Sequence, residues 1–241
     1  MTGIVGALIA FAVAVSSGSI TADYSVAARD LSYGDRGATV AELNASLATA
    51  GFNPDAGDRF GKKTRHAVYA FQKHYNLATT GVFTPFMWDL LARPIELLWR
   101  PEADRVEVDL AKQVLYIVED QEVILIAPIS SGNGASYFGE DGHRDVARTP
   151  EGQFRFQRRI AGWRESYLGF MWNPYYFRGG YAIHGSLDVP NYPASHGCIR
   201  VTMWDMELLL DRFEVGQTVY IYGKRTAVPP AGLKETFPEF I

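Results

Sequence analysis

The chain has 241 residues, which is enough for one large domain or two modest ones. Apolar residues make up 47% and charged residues 21%, an ordinary globular composition that excludes a disordered chain, a collagen or a coiled coil. The net charge of −4 argues against a protein that binds nucleic acid through its phosphates. Because Cys198 is the single cysteine, a disulfide within the chain and a zinc site built from several cysteines are also excluded.

The first segment, residues 1–22, is predicted to be a signal peptide. Residues 4–15 form an uncharged apolar run, shorter than the ~20 helical residues that span a bilayer. The run fits the apolar part of a signal peptide, although no Lys or Arg precedes Arg29, and a buried helix is the alternative. The sequence therefore predicts an exported protein of the cell wall or periplasmic space with no transmembrane span.

Residues 31–93 follow the spacing of amphipathic helices. Apolar residues recur at helical intervals over 40–47 and again over 67–75. Thr84 followed by Pro85 predicts the start of a third helix. The segment is therefore predicted to be a small three-helix module, near the lower size limit for an independent core.

A sequence pattern extends across these three predicted helices. Its residues are Gly34, Asp35, Arg36, Gly37, Val40, Leu43, Leu47, Gly51, Phe52, Phe60, Gly61, Thr64, Ala67, Val68, Phe71, Gln72, Leu77, Gly81 and Trp88. The pattern resembles the three-helix peptidoglycan-binding module of many wall enzymes, and differs from it at Asn44 and Thr80. The resemblance implies attachment to cell-wall polymer, and a domain that serves packing alone is the alternative. His66 and His74 have no acidic partners and are predicted to be solvated.

The second half of the chain has the pattern of a β domain. Residues 94–102 begin and end near Arg-Pro pairs and are predicted to form a short, stiff linker. Beyond them the apolar period changes to two, and the runs 114–118 and 123–129 flank a polar turn that predicts a hairpin. Only residues 203–213 have helical spacing in this half.

The predicted fold class is therefore multidomain α and β. A small three-helix N-terminal module at 31–93 is followed, after the linker, by a mainly β domain at 103–224. A sandwich or a curled sheet is the expected architecture of that domain. Residues 225–241 are predicted to be a C-terminal tail.

The residues with catalytic chemistry are concentrated between positions 183 and 200. A free thiol has a pKa of ~8.5, so a nucleophilic Cys198 needs a base. His196 and Cys198 are two residues apart and would share a face of an extended backbone. His184 lies at a strand end and can return to Cys198 through the turn-rich loop that follows it. Gly197 would let backbone amides approach an acyl group, as an oxyanion hole requires.

Three interpretations of these residues remain open at this point. Cys198 could be a buried structural cysteine. His184, His196 and Cys198 could bind zinc, with Asp188 as the only obvious carboxylate nearby. A thiol nucleophile with a histidine base is favoured, because an unpaired thiol in an exported protein is otherwise prone to oxidation. This interpretation requires no metal and no cofactor.

Several short motifs of the β domain match one family. They are Val106–Asp109 with Gln113, Leu115 and Tyr116; Ser130-Ser131-Gly132; Thr149-Pro150-Glu151-Gly152-Gln153-Phe154; His184-Gly185; and Ser195-His196-Gly197-Cys198-Ile199-Arg200. Together they resemble the L,D-transpeptidases, cysteine enzymes that cross-link peptidoglycan, over residues 103–222. The resemblance implies that His184 is the base and Cys198 the nucleophile. It also implies that the Gly185 carbonyl orients the imidazole and that amides around His196, Gly197 and Cys198 form the oxyanion hole.

The resemblance also implies a substrate and an inhibitor class. Peptidoglycan stems and glycan would be the partners, the product would be a 3–3 cross-link between stems, and carbapenem-type β-lactams would acylate the thiol. With water as acceptor the enzyme would be an L,D-carboxypeptidase, and a non-catalytic wall-binding protein is the remaining alternative. Tyr181, Ser195, Arg200 and Trp172 are the predicted substrate contacts. Aromatic residues over 163–181 are expected to form either a flap over the substrate or part of the core.

Overall fold

The structure is a computed structural model that describes residues 29–223. The predicted signal peptide at 1–22 and the predicted tail at 225–241 lie outside the described residues. Between residues 29 and 223, no helix has the length and apolar character needed to cross a lipid bilayer.

Three helices form the N-terminal module, as the sequence predicted. They are α1 (Ala38–Thr49), α2 (Lys62–His74) and α3 (Met87–Leu91). Their apolar faces meet in a core that includes Leu43, Leu47 and Phe71, all fully buried. The third helix begins at Met87, two residues after the predicted start at Pro85. The Met87 N–H donates to the carbonyl oxygen of Thr84 (3.0 Å), and the Thr84 side chain does not cap the helix.

The second part of the chain is a β-sandwich with one helix, which confirms the predicted mainly β domain. Its elements are β1 (Arg105–Asp109), β2 (Val114–Glu119), β3 (Glu122–Pro128), β4 (Ser136–Phe138), β5 (Arg144–Val146), β6 (Gly152–Arg155), β7 (Arg158–Arg159), β8 (Trp163–Ser166), β9 (Gly169–Arg178), β10 (Tyr181–Ser186), β11 (Ile199–Thr202), α4 (Met203–Leu210) and β12 (Thr218–Tyr222). One sheet has the order β3-β2-β1-β12-β6 and the other β11-β10-β9-β7, with β8 paired to β9. Apolar side chains from both sheets, among them Val108, Ile117 and Ile183, interleave in the core between them.

The helical module lies directly on the outer face of the first sheet. Val114, Tyr116 and Ile126 point away from the sandwich core and are buried in one cluster with the apolar residues of the module. The backbone also joins the two parts, since the Ile126 N–H donates to the carbonyl of Gly51 (2.8 Å). Linker residue Leu97 packs against the same cluster. The module and the β domain therefore share a hydrophobic core.

The predicted solvation of His66 and His74 is wrong, because both side chains lie at this shared interface. His74 Nδ1 is 2.9 Å from the hydroxyl of Tyr116, and the His66 ring lies edge-on to Trp204 at 5.3 Å between ring centroids. Burial lowers the pKa of each histidine to about 4. Both imidazoles are therefore neutral at physiological pH.

Acidification is expected to weaken the fold between about pH 6.5 and 4. His66, His74 and the buried His184 have folded-state pKa values of about 4, so the unfolded chain binds more protons in this window and stability is lost as pH falls. Asp205, whose pKa burial raises to about 6, opposes the trend but is a single group. The denaturant midpoint measured across this range should decrease as the pH is lowered, and it should decrease less steeply in the His74→Gln variant. An equal or steeper fall in that variant would contradict the assignment.

A buried ion pair anchors the linker side of the same sheet. Arg105 Nε donates to Glu107 Oε1 at 2.7 Å, and both side chains are 1% exposed. Tyr222 donates its hydroxyl to Glu107 Oε2 (2.9 Å), and Arg100 of the linker lies 3.3 Å from Oε1. Burial of the pair is tolerated because the Arg105 guanidinium also donates to the carbonyl of Glu102 (2.8 Å) and to Gln121 Oε1 (2.9 Å).

Replacing Glu107 with Gln is expected to lower the free energy of unfolding by about 3–5 kcal/mol, since it leaves the Arg105 charge buried without compensation. Urea denaturation measures this change. The matched control is Glu119→Gln, which breaks the exposed pair with Arg212 and should cost far less. Similar losses in the two variants would contradict this account of the network.

Candidate active site

Strand pairing brings the predicted nucleophile and the predicted base together. β10 and β11 are parallel neighbours, with Ile183 opposite Ile199 and His184 opposite Arg200. Ile183 and Ile199 point into the sandwich core, so the alternating residues His184, Arg200 and Cys198 project from the other face. The imidazole, the guanidinium and the thiol therefore share one face of two adjacent strands.

The hydrogen bond at His184 fixes the tautomer of its ring. His184 is 4% exposed, and its Nδ1 lies 2.9 Å from the carbonyl oxygen of Gly185. A carbonyl can only accept, so Nδ1 carries the proton and Nε2 is the free acceptor of the neutral ring. Burial lowers the pKa of His184 to about 4, against the opposing hydrogen bond to Gly185, and the Arg200 charge lowers it further. The neutral imidazole can accept a proton at Nε2.

The thiol of Cys198 is half-buried against Met171, Tyr176 and Ala182. Burial raises its pKa, while a hydrogen bond from the Ala182 backbone and the positive charge of Arg200 act in the opposite direction. At rest the thiol is therefore neutral, with Sγ 3.7 Å from the carbonyl oxygen of Gly180, and the imidazole on the same face is neutral as well. Such a pair requires the proton to leave the thiol as the sulfur attacks.

Ser195 shapes the turn that presents Cys198. The Ser195 hydroxyl donates to the carbonyl of Cys198 (2.6 Å) and accepts the N–H of Gly197 (3.0 Å). Gly197 has a φ of +140°, and a Cβ at this position would lie 2.6 Å from the Tyr181 ring. Only glycine fits such a backbone against that ring. The Gly197 amide, predicted to help line an oxyanion hole, is thus bonded to Ser195.

Residues of the Ser130-Ser131-Gly132 and Thr149-Pro150 motifs form hydrogen bonds to the turn and to the strand that follows it. Ser130 and Arg200 exchange two backbone hydrogen bonds of 3.0 Å. Thr149 donates its hydroxyl to the carbonyl of Gly197 (2.8 Å) and accepts the N–H of Gly132 (3.0 Å). These motif residues therefore form the scaffold of the turn that carries Cys198.

The second histidine, His196, has a different environment. Its ring lies edge-on to Tyr137 at 4.8 Å between centroids, and Tyr137 donates its hydroxyl to Asp145 Oδ2 (3.2 Å). Tyr137 belongs to the β4–β5 hairpin, which the sequence analysis did not predict as part of the site. The polar, glycine-containing stretch around it has no periodicity that could have indicated this position.

The other predicted substrate contacts surround the same face. Trp172 packs so closely on Gly185 that a Cβ there would lie 2.9 Å from the indole Cδ1. Arg200 is ion-paired with Asp188 at 3.3 Å, and Asp188 is largely exposed. Tyr181 lies against the turn at Gly197. These three residues, with Ser195, are thus all placed around the thiol-bearing turn or the His184 strand.

Comparison with known proteins identifies the family. A model of the L,D-transpeptidase catalytic domain matches residues 103–221, and a peptidoglycan-binding domain model matches residues 36–91. An L,D-transpeptidase from Xylanimonas cellulosilytica is 40% identical over 81% of this chain and 98% of that one, with a TM-score of 0.76. The chain belongs to the L,D-transpeptidase family. It combines the family's acyltransferase-type domain with an N-terminal peptidoglycan-binding domain.

Two further solved L,D-transpeptidases are less similar to this chain than the Xylanimonas protein. One from Stackebrandtia nassauensis is 21% identical over 81% of this chain and 96% of its own, with a TM-score of 0.46. A mutant of an Enterococcus faecium L,D-transpeptidase is 24% identical over 50% of each chain, with a TM-score of 0.40. A search of curated protein sequences finds no significant match.

The aromatic stretch before His184 in this L,D-transpeptidase divides between core and surface. Tyr175 and Phe177 on β9 are buried in the sandwich. Trp163, Tyr167 and Phe170, around the β8–β9 turn, are each about half exposed or more. The expectation of an aromatic core is therefore confirmed for the β9 residues, and the flap stays a prediction for the exposed ones.

The zinc alternative involved His184, His196 and Cys198. Among the residues that the structure describes, no three His, Cys, Asp or Glu side chains are grouped so that they could hold a metal ion. The hydrogen bond of His184 Nδ1 and the ring contact of His196 with Tyr137 account for the orientation of both imidazoles.

Proposed function

We propose that this L,D-transpeptidase forms 3–3 cross-links between peptidoglycan stems, with Cys198 as the nucleophile and His184 as the general base. The observation that supports this most strongly is the β10–β11 register. It brings a neutral imidazole with a free Nε2 and the single thiol of the chain to one face of adjacent strands. A base held by a backbone carbonyl next to a nucleophile is the arrangement that covalent acyl transfer needs.

The first half-reaction transfers an acyl group to sulfur. The Cys198 thiol gives its proton to His184 Nε2 while Sγ attacks the carbonyl at the L-centre of the diamino acid in a donor tetrapeptide stem. The tetrahedral intermediate collapses to a thioester, and its C–N bond breaks. The terminal D-residue leaves as an amine after taking the proton from His184.

The second half-reaction transfers the acyl group to an amine. The side-chain amine of a second stem attacks the thioester carbonyl, and His184 accepts a proton from it. The C–S bond then breaks, the thiolate takes the proton back, and a 3–3 cross-link remains. Water in place of the amine would give L,D-carboxypeptidase activity.

The backbone around the thiol is proposed to stabilise the oxyanion. Because the Gly197 amide is bonded to Ser195, the N–H groups of His196 and Cys198 are the proposed donors. A single donor of this kind is typically worth about 10²–10³ in rate. Gly185 orients the base through its carbonyl, and Tyr181, Trp172 and the Arg200 cation are the proposed contacts of the donor stem.

The N-terminal part is proposed to attach the enzyme to the wall. The module spans residues 31–93, the linker 94–102 and the catalytic domain 103–224, with an N-terminal export signal at 1–22. In this arrangement the module binds peptidoglycan outside the cytoplasm. Carbapenems acylate Cys198 because their strained ring offers the same kind of carbonyl as the donor stem.

Incubation of the full chain with purified disaccharide-tetrapeptide muropeptides tests the proposal. Mass spectrometry should detect dimers that have lost one terminal D-residue, formed in amounts that rise with acceptor concentration. Tripeptide monomers without dimers would replace the transpeptidase proposal with the carboxypeptidase one. Unchanged substrate would contradict both.

A further inference from the structure

A buried lysine of the helical module reaches into the catalytic domain. Lys73, near the end of α2, is only 6% exposed and donates from Nζ to the carbonyl oxygen of Ile129 (3.2 Å). Ile129 follows β3 and immediately precedes Ser130. The lysine thus fixes the backbone next to the residue that pairs with the Cys198 strand.

A second contact joins the module to the loop between the base and the nucleophile. Asn191 lies in the 187–194 loop, between the end of β10 and Ser195, and is half-buried. Its Nδ2 donates to the carbonyl of Thr79 (3.2 Å), in the segment that follows α2. The loop is therefore attached to the module at its midpoint.

Both contacts reach the same network of hydrogen bonds, which is centred on Ser130. The Ser130 hydroxyl donates to the carbonyl of Tyr192 (2.8 Å) and accepts the N–H of Ala194 (3.0 Å), which ties the loop to Ser130. The Ser130 backbone exchanges two hydrogen bonds with Arg200, two residues after Cys198. The module therefore holds the thiol-bearing turn from two sides through Ser130.

A third contact supports the strand that carries the base. Asn53 of the module donates to Asp205 Oδ1 (2.9 Å), and Asp205 accepts the Thr202 hydroxyl at Oδ2 (2.6 Å). Asp205 lies in the first turn of α4, whose Met206 packs directly against Gly185, the residue that orients His184. The interface thus reaches both halves of the proposed catalytic pair.

We infer that the peptidoglycan-binding module is part of the catalytic scaffold, and that Lys73 and Asn191 are positioning residues for the Cys198 turn. The inference rests on the proposed function, because it assigns these two residues to the acylation step. Loss of the Asn191 contact frees the 187–194 loop, loss of the Lys73 contact frees the backbone at Ile129 and Ser130, and each displaces the thiol from His184. A displacement of about 1 Å can cost on the order of 10²-fold in rate. The module therefore sets the geometry of the thiol in addition to binding the wall.

The test compares three full-chain variants and one rescue variant, Asn191→Gln. Asn191→Ala and Lys73→Met each remove one donor across the interface. Gln153→Ala is the matched control, since it removes an amide hydrogen bond from the β domain to Glu102 of the linker, away from the turn. Four quantities are measured for each: the saturating rate of carbapenem acylation, its apparent affinity, the rate of Cys198 alkylation by iodoacetamide, and the urea midpoint.

The inference predicts a selective change in rate. Asn191→Ala should acylate about 10-fold to 100-fold more slowly at saturation with an unchanged apparent affinity, and Asn191→Gln, which keeps an amide donor, should recover part of the loss. The control should acylate like the native protein. Native rates in both interface variants, or losses that track the urea midpoint in all three, would overturn the inference. If the native protein forms no carbapenem adduct, the proposed function fails. The rates of Cys198 alkylation then decide the inference: they should differ from the native rate in Asn191→Ala and Lys73→Met, and match it in Gln153→Ala.

Discussion

Replacing Cys198 with Ala is expected to abolish both the carbapenem adduct and the processing of stems. The variant lacks the only thiol of the chain, so no thioester can form, and losses on the order of 10⁶-fold are typical when a nucleophile is removed. Intact-protein mass spectrometry after carbapenem exposure measures the first effect. Muropeptide analysis measures the second.

The fold of this variant should remain intact. Cys198 is half-buried at the edge of a small cluster, so truncation of one sulfur leaves little empty space. A urea midpoint close to the native value and undiminished binding to insoluble peptidoglycan are the controls. An adduct that persists on Cys198→Ala would place the nucleophile elsewhere in the chain and contradict the proposed mechanism.

The secondary structure was largely predictable because its periodicity is strong. The alternation around Val106 and Val108 is a local signal, and the structure has β1 at this position. The shared core between the module and the sheet was not predicted. The run at 114–118 carried a hint, since five consecutive apolar residues on one strand need cover on both faces. Nothing in such a run says which segment of the chain provides that cover.

In the candidate site, too, some residues could be predicted from local sequence patterns, whereas others depend on contacts between distant segments of the chain. His184 and Cys198 were found because their flanking residues form a compact pattern. Tyr137 was missed because its contact with His196 joins segments about sixty residues apart across an irregular hairpin. Ser195 was predicted as a substrate contact and Gly197 as part of the oxyanion hole, and their mutual hydrogen bond depends on turn geometry that residue types alone do not specify.

The two histidines make the sharpest remaining contrast. If His184 is the base, His184→Ala should lose about 10²–10⁴ in acylation rate, the usual contribution of general acid–base catalysis. His196→Ala, which removes a ring packed on Tyr137, should affect stability or oxyanion geometry and keep most of the proton transfer. Carbapenem acylation rates of both variants, with urea midpoints as controls, measure the difference.

The pH dependence of acylation shows which histidine is the base, whatever the size of the rate losses in the two variants. Because the pKa of His184 is about 4, the native rate should persist from neutral pH down to about pH 5 and fall as the imidazole is protonated near pH 4. This acidic limb should disappear in His184→Ala. That variant depends on a preformed thiolate, and burial raises the pKa of Cys198, so its rate should climb with pH through the neutral range. If His196→Ala loses the acidic limb while His184→Ala keeps it, His196 is the base, and the short loop after His184 is the structural reason.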